Sequence, residues 1–171
     1  MSYVEPCCAD KQLPKLLREN ANKIVTFQTS GDVTVEKLLG AIGWLAGQTH
    51  ELVLMMPDVD IKLLRHLCWM VRRGWTTKAT LLLNDLCSMS DQEITAELIE
   101  TGGKVFVGFD KMVVGGLLMV TGKDGTVIIQ GDMLTEVKAG LRLYAAYWGN
   151  SEEKIKMMSA AVKSRLKKVY K

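Results

Sequence analysis

Few residues in this chain carry an imidazole or a thiol, the side chains best suited to attack near neutral pH and to binding soft metals. There are two histidines, His50 and His66, and four cysteines, Cys7, Cys8, Cys68 and Cys87. Cys7 and Cys8 are adjacent, and neighbouring residues rarely bridge each other well. Cys68 and Cys87 fall in or beside apolar runs and read as buried thiols. No C-x-x-C spacing occurs, so neither structural zinc nor any other cofactor is expected. Asp58, Asp60, Asp85 and Asp110 sit at or just past apolar runs. Carboxylates gathered at the carboxyl edge of a parallel sheet can hold Mg²⁺. Asp is equally a favoured cap and turn residue. Gly102-Gly103 and Gly115-Gly116 match no phosphate-binding spacing.

Positive charge is the second chemical resource. Lys62, Arg65, His66, Trp69, Arg72 and Arg73 share one side of a helix by their 3–4 spacing, with Ile61, Leu64, Cys68 and Val71 on the other. A basic face with an interleaved Trp, followed by Trp75, can grip phosphates and stack a base. It can also be a solvated face whose Trp covers a neighbouring element. The formal net charge of the 171-residue chain is +3. Residues 151–171 carry Lys154, Lys156, Lys163, Arg165, Lys167, Lys168 and Lys171 against Glu152 and Glu153, so that segment is +5 and the remainder −2. This basic tail suits an anionic partner, either nucleic acid or a membrane surface, or it is a solvated helix face.

Elements that can position these groups follow from periodicity. Hydrophobic content of 48% and charged content of 24% suit one globular domain with a real core. Residues 1–20 read as an arm or a short helix, and 21–171 as a single α/β domain. Strands are expected at 22–29, 51–57, 79–84 and 104–109. Helices are expected at 34–47, at 60–74 with Asp58 or Asp60 as cap, and at 90–103, opened by Ser90 and Glu93 and closed by Gly102-Gly103. Further helices are expected at about 134–148 and 151–170. In the last, Ile155, Met158, Val162, Leu166 and Val169 form an apolar stripe that docks on this chain or on a dimer partner. Alternating strands and helices predict a mixed, mostly parallel sheet flanked by helices on both faces. No apolar stretch of about 18 residues is present, so no membrane span is expected. The polar N-terminus predicts no signal peptide, and the expected compartment is the reduced cytoplasm.

Between the fourth strand and the late helices lies "LLMVTGKDGTVIIQGDMLTE", residues 117–136. Leu117–Val120 and Thr126–Ile129 flank a Lys-Asp-Gly turn and predict a β-hairpin. Its spacing is Leu117-x-Met119-x4-Asp124-x6-Gly131-Asp132. Upstream stand "RRGWTTKATLLL" and "ELIETGGKVFV", each a helix end, a Gly turn and an apolar strand. Over residues 21–136 this order resembles one half of the phospholipase D superfamily, whose motif is His-x-Lys-x4-Asp followed by Gly-Ser or Gly-Gly. The resemblance implies a phospholipase D-like fold and pairing of two halves as a homodimer. In that family the His attacks phosphorus and the Lys stabilises the phosphoryl oxygens. Here Leu117 and Met119 stand in those places, and neither side chain can do that work. Asp124 matches, although an Asp-Gly turn explains it without function.

The expected role is therefore a non-catalytic phospholipase D-like module, homodimeric, contacting nucleic acid through Lys62, Arg65, Trp69, Arg72 and Arg73 and through Lys163, Arg165, Lys167 and Lys168. The alternatives are a metal-dependent enzyme using the strand-end carboxylates, or a protein-interaction scaffold.

Overall fold

The computed structural model describes residues 9–30, 33–56, 59–83, 89–107, 116–133 and 139–169. Seven strands form one sheet: β1 (Val25–Ser30), β2 (His50–Met56), β3 (Thr76–Leu83), β4 (Lys104–Val107), β5 (Gly116–Gly122), β6 (Gly125–Gly131) and β7 (Leu141–Gly149). Among the described residues five α-helices accompany them: α1 (Ala9–Glu19), α2 (Val35–Ile42), α3 (Ile61–Arg72), α4 (Met89–Glu100) and α5 (Glu152–Val169). A short 3₁₀ turn, Gly43–Leu45, follows α2.

The strand order is β1-β7-β6-β5-β2-β3-β4. Only β2–β3 and β3–β4 are parallel. The pairs β1–β7, β7–β6, β6–β5 and β5–β2 are antiparallel. The sheet is thus mixed, as expected, but mostly antiparallel rather than mostly parallel. The reason is the length of the connections. Crossover helices α3 and α4 separate β2, β3 and β4 and keep them parallel, whereas the tight turn at Lys123-Asp124 can only reverse the chain. The hairpin lies inside the sheet, β5 against β2 and β6 against β7.

The helix expected at about 134–148 is the second correction. Residues 141–149 are β7, and residues 134–138 lie outside the described ones. Tyr144, Tyr147 and Trp148 favour a pleated strand, and β7 fills the place between β6 and β1 that joins the first strand to the sheet. Its start is marked by Gly140, and its end is held by Asn22. The Asn22 side-chain oxygen accepts from Tyr147 Oη at 3.1 Å and from the Asn150 amide at 2.9 Å.

Alternate residues of each strand face opposite layers. On one face Leu52, Leu54, Leu81, Leu118, Val127, Ile129 and Tyr144 meet Leu13, Leu16 and Leu17 of α1, Leu38 and Ile42 of α2, Leu63, Leu64 and Leu67 of α3, and Leu98 of α4. On the other face Met55, Leu82, Leu117, Ile128 and Tyr147 meet Met158 of α5, with Ile155 beside them. The apolar stripe of the last helix therefore docks on its own chain at Ile155 and Met158. Side chains beyond residue 160, including Val162, Leu166 and Val169, lie outside the described ones.

Candidate functional site

At the edge of the sheet where β2 and β3 begin, α2 and α3 stand apart and leave a cavity of about 300 Å³. Each wall follows from local sequence. Asp60 caps α3, its Oδ1 accepting from the Leu63 amide at 2.8 Å, and Leu63, Leu64 and Leu67 fix the buried side of that helix. His66 and Trp69, three residues apart, then share a face and stack with ring centroids 5.8 Å apart. Gly74 ends the helix with φ +79, a conformation glycine adopts without strain, and its N–H donates to Val71 O at 3.1 Å. That reversal brings Trp75 back onto Trp69, edge to face, with centroids 4.9 Å apart. The opposite wall is Gly40, Gly43 and Trp44 from α2 and its 3₁₀ turn. Buried Leu39, Met70 and His50 form the floor, and exposed Gln48 stands at the mouth.

Three indoles are left half exposed here: Trp44 at 49%, Trp69 at 41% and Trp75 at 48%. A patch of this kind on a protein surface is unusual unless something binds it. Two guanidiniums lie over it. Arg18 of α1 sits 4.1 Å from the Trp44 ring centroid, and Arg73 sits 5.4 Å from that of Trp69.

His50 is not available as a base. A carbonyl can only accept, so the contact of Nδ1 with Gly47 O at 3.3 Å places the proton on Nδ1. Nε2 then accepts from Thr76 Oγ1, also at 3.3 Å. Burial holds its pKa below the ordinary 6.5, against the opposing pull of the Gly47 carbonyl. It acts as a neutral, fully partnered floor tile. Burial likewise pushes the Cys68 thiol up, with a further push from the Glu97 carboxylate, and makes it a poor nucleophile.

Of the groups singled out from sequence, Lys62, Arg65, Trp69, Arg72 and Arg73 are all exposed on α3. Arg72 is engaged, forming a hydrogen-bonded ion pair with Glu97 of α4. Buried α3 positions include Leu63, Leu67 and Met70 besides Leu64 and Cys68, while Ile61 and Val71 are half buried. Lys163, Arg165, Lys167 and Lys168 lie on the backbone of α5, but their side chains are outside the described ones. Asp58, Asp85 and Asp110 are also outside the described residues, and Asp60 is the α3 cap. Among the described residues no three His, Cys, Asp or Glu side chains cluster as metal ligands.

The hairpin positions do not converge on a site. Leu117 is 1% exposed beneath α5, and Met119 packs at the margin of the same apolar cluster. Asp124 is exposed at the turn, roughly 20 Å along the strand from Leu117, and its amide donates to Ala46 O at 2.7 Å. Gly131 has a packing reason. Its φ is +153, and a Cβ there would lie 2.3 Å from Tyr144 Cδ1. The Tyr144 hydroxyl donates to the neighbouring Asp132 carbonyl.

Sequence reasoning on α3 found Trp69, Arg73, His66 and the following Trp75 but missed Arg18, Trp44, Gln48 and His50 as neighbours. A usable signal existed: Gly43-Trp44 and Gly74-Trp75 are both Gly-Trp steps at helix ends. No protein-family model matches this chain, and no curated protein does either.

Proposed function

We propose that this protein is a non-catalytic module that binds single-stranded nucleic acid at the α2–α3 cavity. The observation that carries the reading is the pairing of two half-exposed indoles of the cavity lining with guanidiniums, Arg18 on Trp44 and Arg73 on Trp69. A base stacks on an indole face that Arg18 or Arg73 leaves open, and those cations hold the adjoining phosphates. A cationic ligand is disfavoured, because Arg18 and Arg73 would repel it. The resemblance to the phospholipase D superfamily enters this proposal as a scaffold whose nucleophile and Lys places hold Leu117 and Met119. The basic helix α5 serves as a second, electrostatic contact.

A fluorescent single-stranded oligonucleotide titrated at two salt concentrations tests the reading. Affinity should fall with salt by roughly 0.7 log units per log unit for each phosphate engaged. Changing Arg65 and Arg73 together to Gln should flatten that slope by roughly 1.4. The quadruple change of Lys163, Arg165, Lys167 and Lys168 to Gln measures the share of α5. Absence of binding by the wild type at low salt would overturn the proposal.

A further inference from the structure

Resting on that reading, we infer that the cavity receives one unpaired heteroaromatic base at a time, so that a free nucleoside monophosphate fills it as a strand does. Size sets the first limit. About 300 Å³ lies at the bottom of the range of small-ligand sites and leaves no room for a base pair or a run of stacked bases. Shape sets the second. Trp44 stands on one wall and the perpendicular Trp69–Trp75 pair on the other, which makes a slot with a corner rather than an open platform. A paired base must first be unstacked and unpaired to enter, which weakens duplex binding by the free energy of that opening.

Polar groups decide what is read. On the floor, both nitrogens of His50 are engaged by Gly47 and Thr76, and Leu39 and Met70 are apolar. The side-chain polar atoms that the lining brings from half-exposed or exposed positions are the Gln48 amide, the His66 ring and the indole N–H groups of Trp44, Trp69 and Trp75. Among the described residues no Asp, Glu, Lys or Arg is a lining side chain, so the slot grips a base chiefly by its faces and tells one base from another weakly. Charge supplies the rest: Arg18 and Arg73 stand against the lining indoles Trp44 and Trp69, within reach of a phosphate carried by a base stacked there. A nucleoside without phosphate keeps the stacking and loses this contact.

The experiment uses the full chain and adenosine monophosphate as probe, with intrinsic tryptophan fluorescence as the readout and competition against a labelled single strand as the second. Adenosine monophosphate should quench the indoles and displace the strand, and adenosine should bind more weakly and with less salt dependence. A duplex of the same sequence should compete poorly. Trp44→Ala should weaken both the nucleotide and the strand by roughly tenfold. Trp44→Phe should restore most of the loss, and Trp44 is exposed enough for both variants to fold. If the strand binds but neither adenosine monophosphate nor Trp44→Ala affects it, the slot inference fails while the nucleic-acid reading stands on another face. If the nucleotide binds in the slot and no strand does, the nucleic-acid reading fails and the slot stands. If neither ligand binds, both fall.

Discussion

The β5–β6 hairpin and the α2–α3 cavity are built in opposite ways. At the hairpin, Leu117 is sealed between the sheet and α5, among Met55, Leu82, Ile128, Tyr147 and Met158. At the cavity, three indoles stay half exposed and two guanidiniums cover their edges or faces. In the scaffold proposed for the hairpin, the places of a reactive motif hold the apolar, packed Leu117 and Met119. The cavity has no recognisable spacing, yet it gathers aromatic and charged groups where a ligand can reach them. Motif spacing describes a scaffold, and what can bind there depends on the atoms it leaves accessible.

Several substitutions sharpen this contrast. Removing a sealed side chain should have the largest effect. Leu117→Ala leaves a void in the α5-covered cluster and should lower stability by about 2–5 kcal/mol, seen as a shift in urea midpoint. Its ligand affinity at the cavity should not change, because α2 and α3 lie on the other face of the sheet. A loss of binding comparable with the loss of stability would show that the two regions are one unit.

Gly131→Ala comes next. The new methyl would clash with the Tyr144 ring at a backbone angle that disfavours side chains, and a loss of about 1–3 kcal/mol is expected. A neutral result in chemical denaturation would mean that Gly131 is held there by something other than the packing of Tyr144.

The cavity floor should respond to pH. Burial disfavours the His50 imidazolium, so the unfolded chain takes up a proton near the ordinary pKa of 6.5 before the folded chain does. Stability should therefore decline as pH falls below that value. His50→Gln lacks this component, so the wild type's advantage over the variant should shrink on acidification. Melting curves at about pH 7.5 and about pH 5.5 measure it. An advantage that grows in acid would mean that His50 is stabilised as a cation.

The smallest effect is an expected absence. On the phospholipase D-like scaffold proposed above, Leu117 and Met119 take the nucleophile and Lys places, and a chromogenic phosphodiester should be hydrolysed no faster than in buffer. Turnover that vanishes in a His50→Ala or His66→Ala variant would break the comparison outright.

Much of the fold is legible in local pattern. The apolar run at 51–56 and that at 79–83 are strands because continuous Leu, Val and Met suit a sheet covered on both sides. Helix α3 begins where Asp60 caps it and ends at Gly74, both visible as letters. The Lys-Asp-Gly turn fixes the hairpin. Segment 141–149 was legible in two ways, since its alanines suit a helix and its aromatics a strand. Membership of the sheet, with β6 on one side and β1 on the other, decided between them.

What the sequence by itself determined is what depends on neighbours a few residues apart: the helical periods, the caps, the turns, and the basic, Trp-bearing face of α3. Tertiary structure alone decided the strand order, the seal of α5 over Leu117, and the meeting of Arg18, Trp44, His50, Trp69 and Trp75. Those residues come from α1, the turn after α2, β2, α3 and the turn before β3. Side-chain periodicity is set by backbone geometry over one or two turns. Strand partners and cavity walls are set by how distant segments bury their apolar faces together, and that choice is not encoded at any single spacing along the chain.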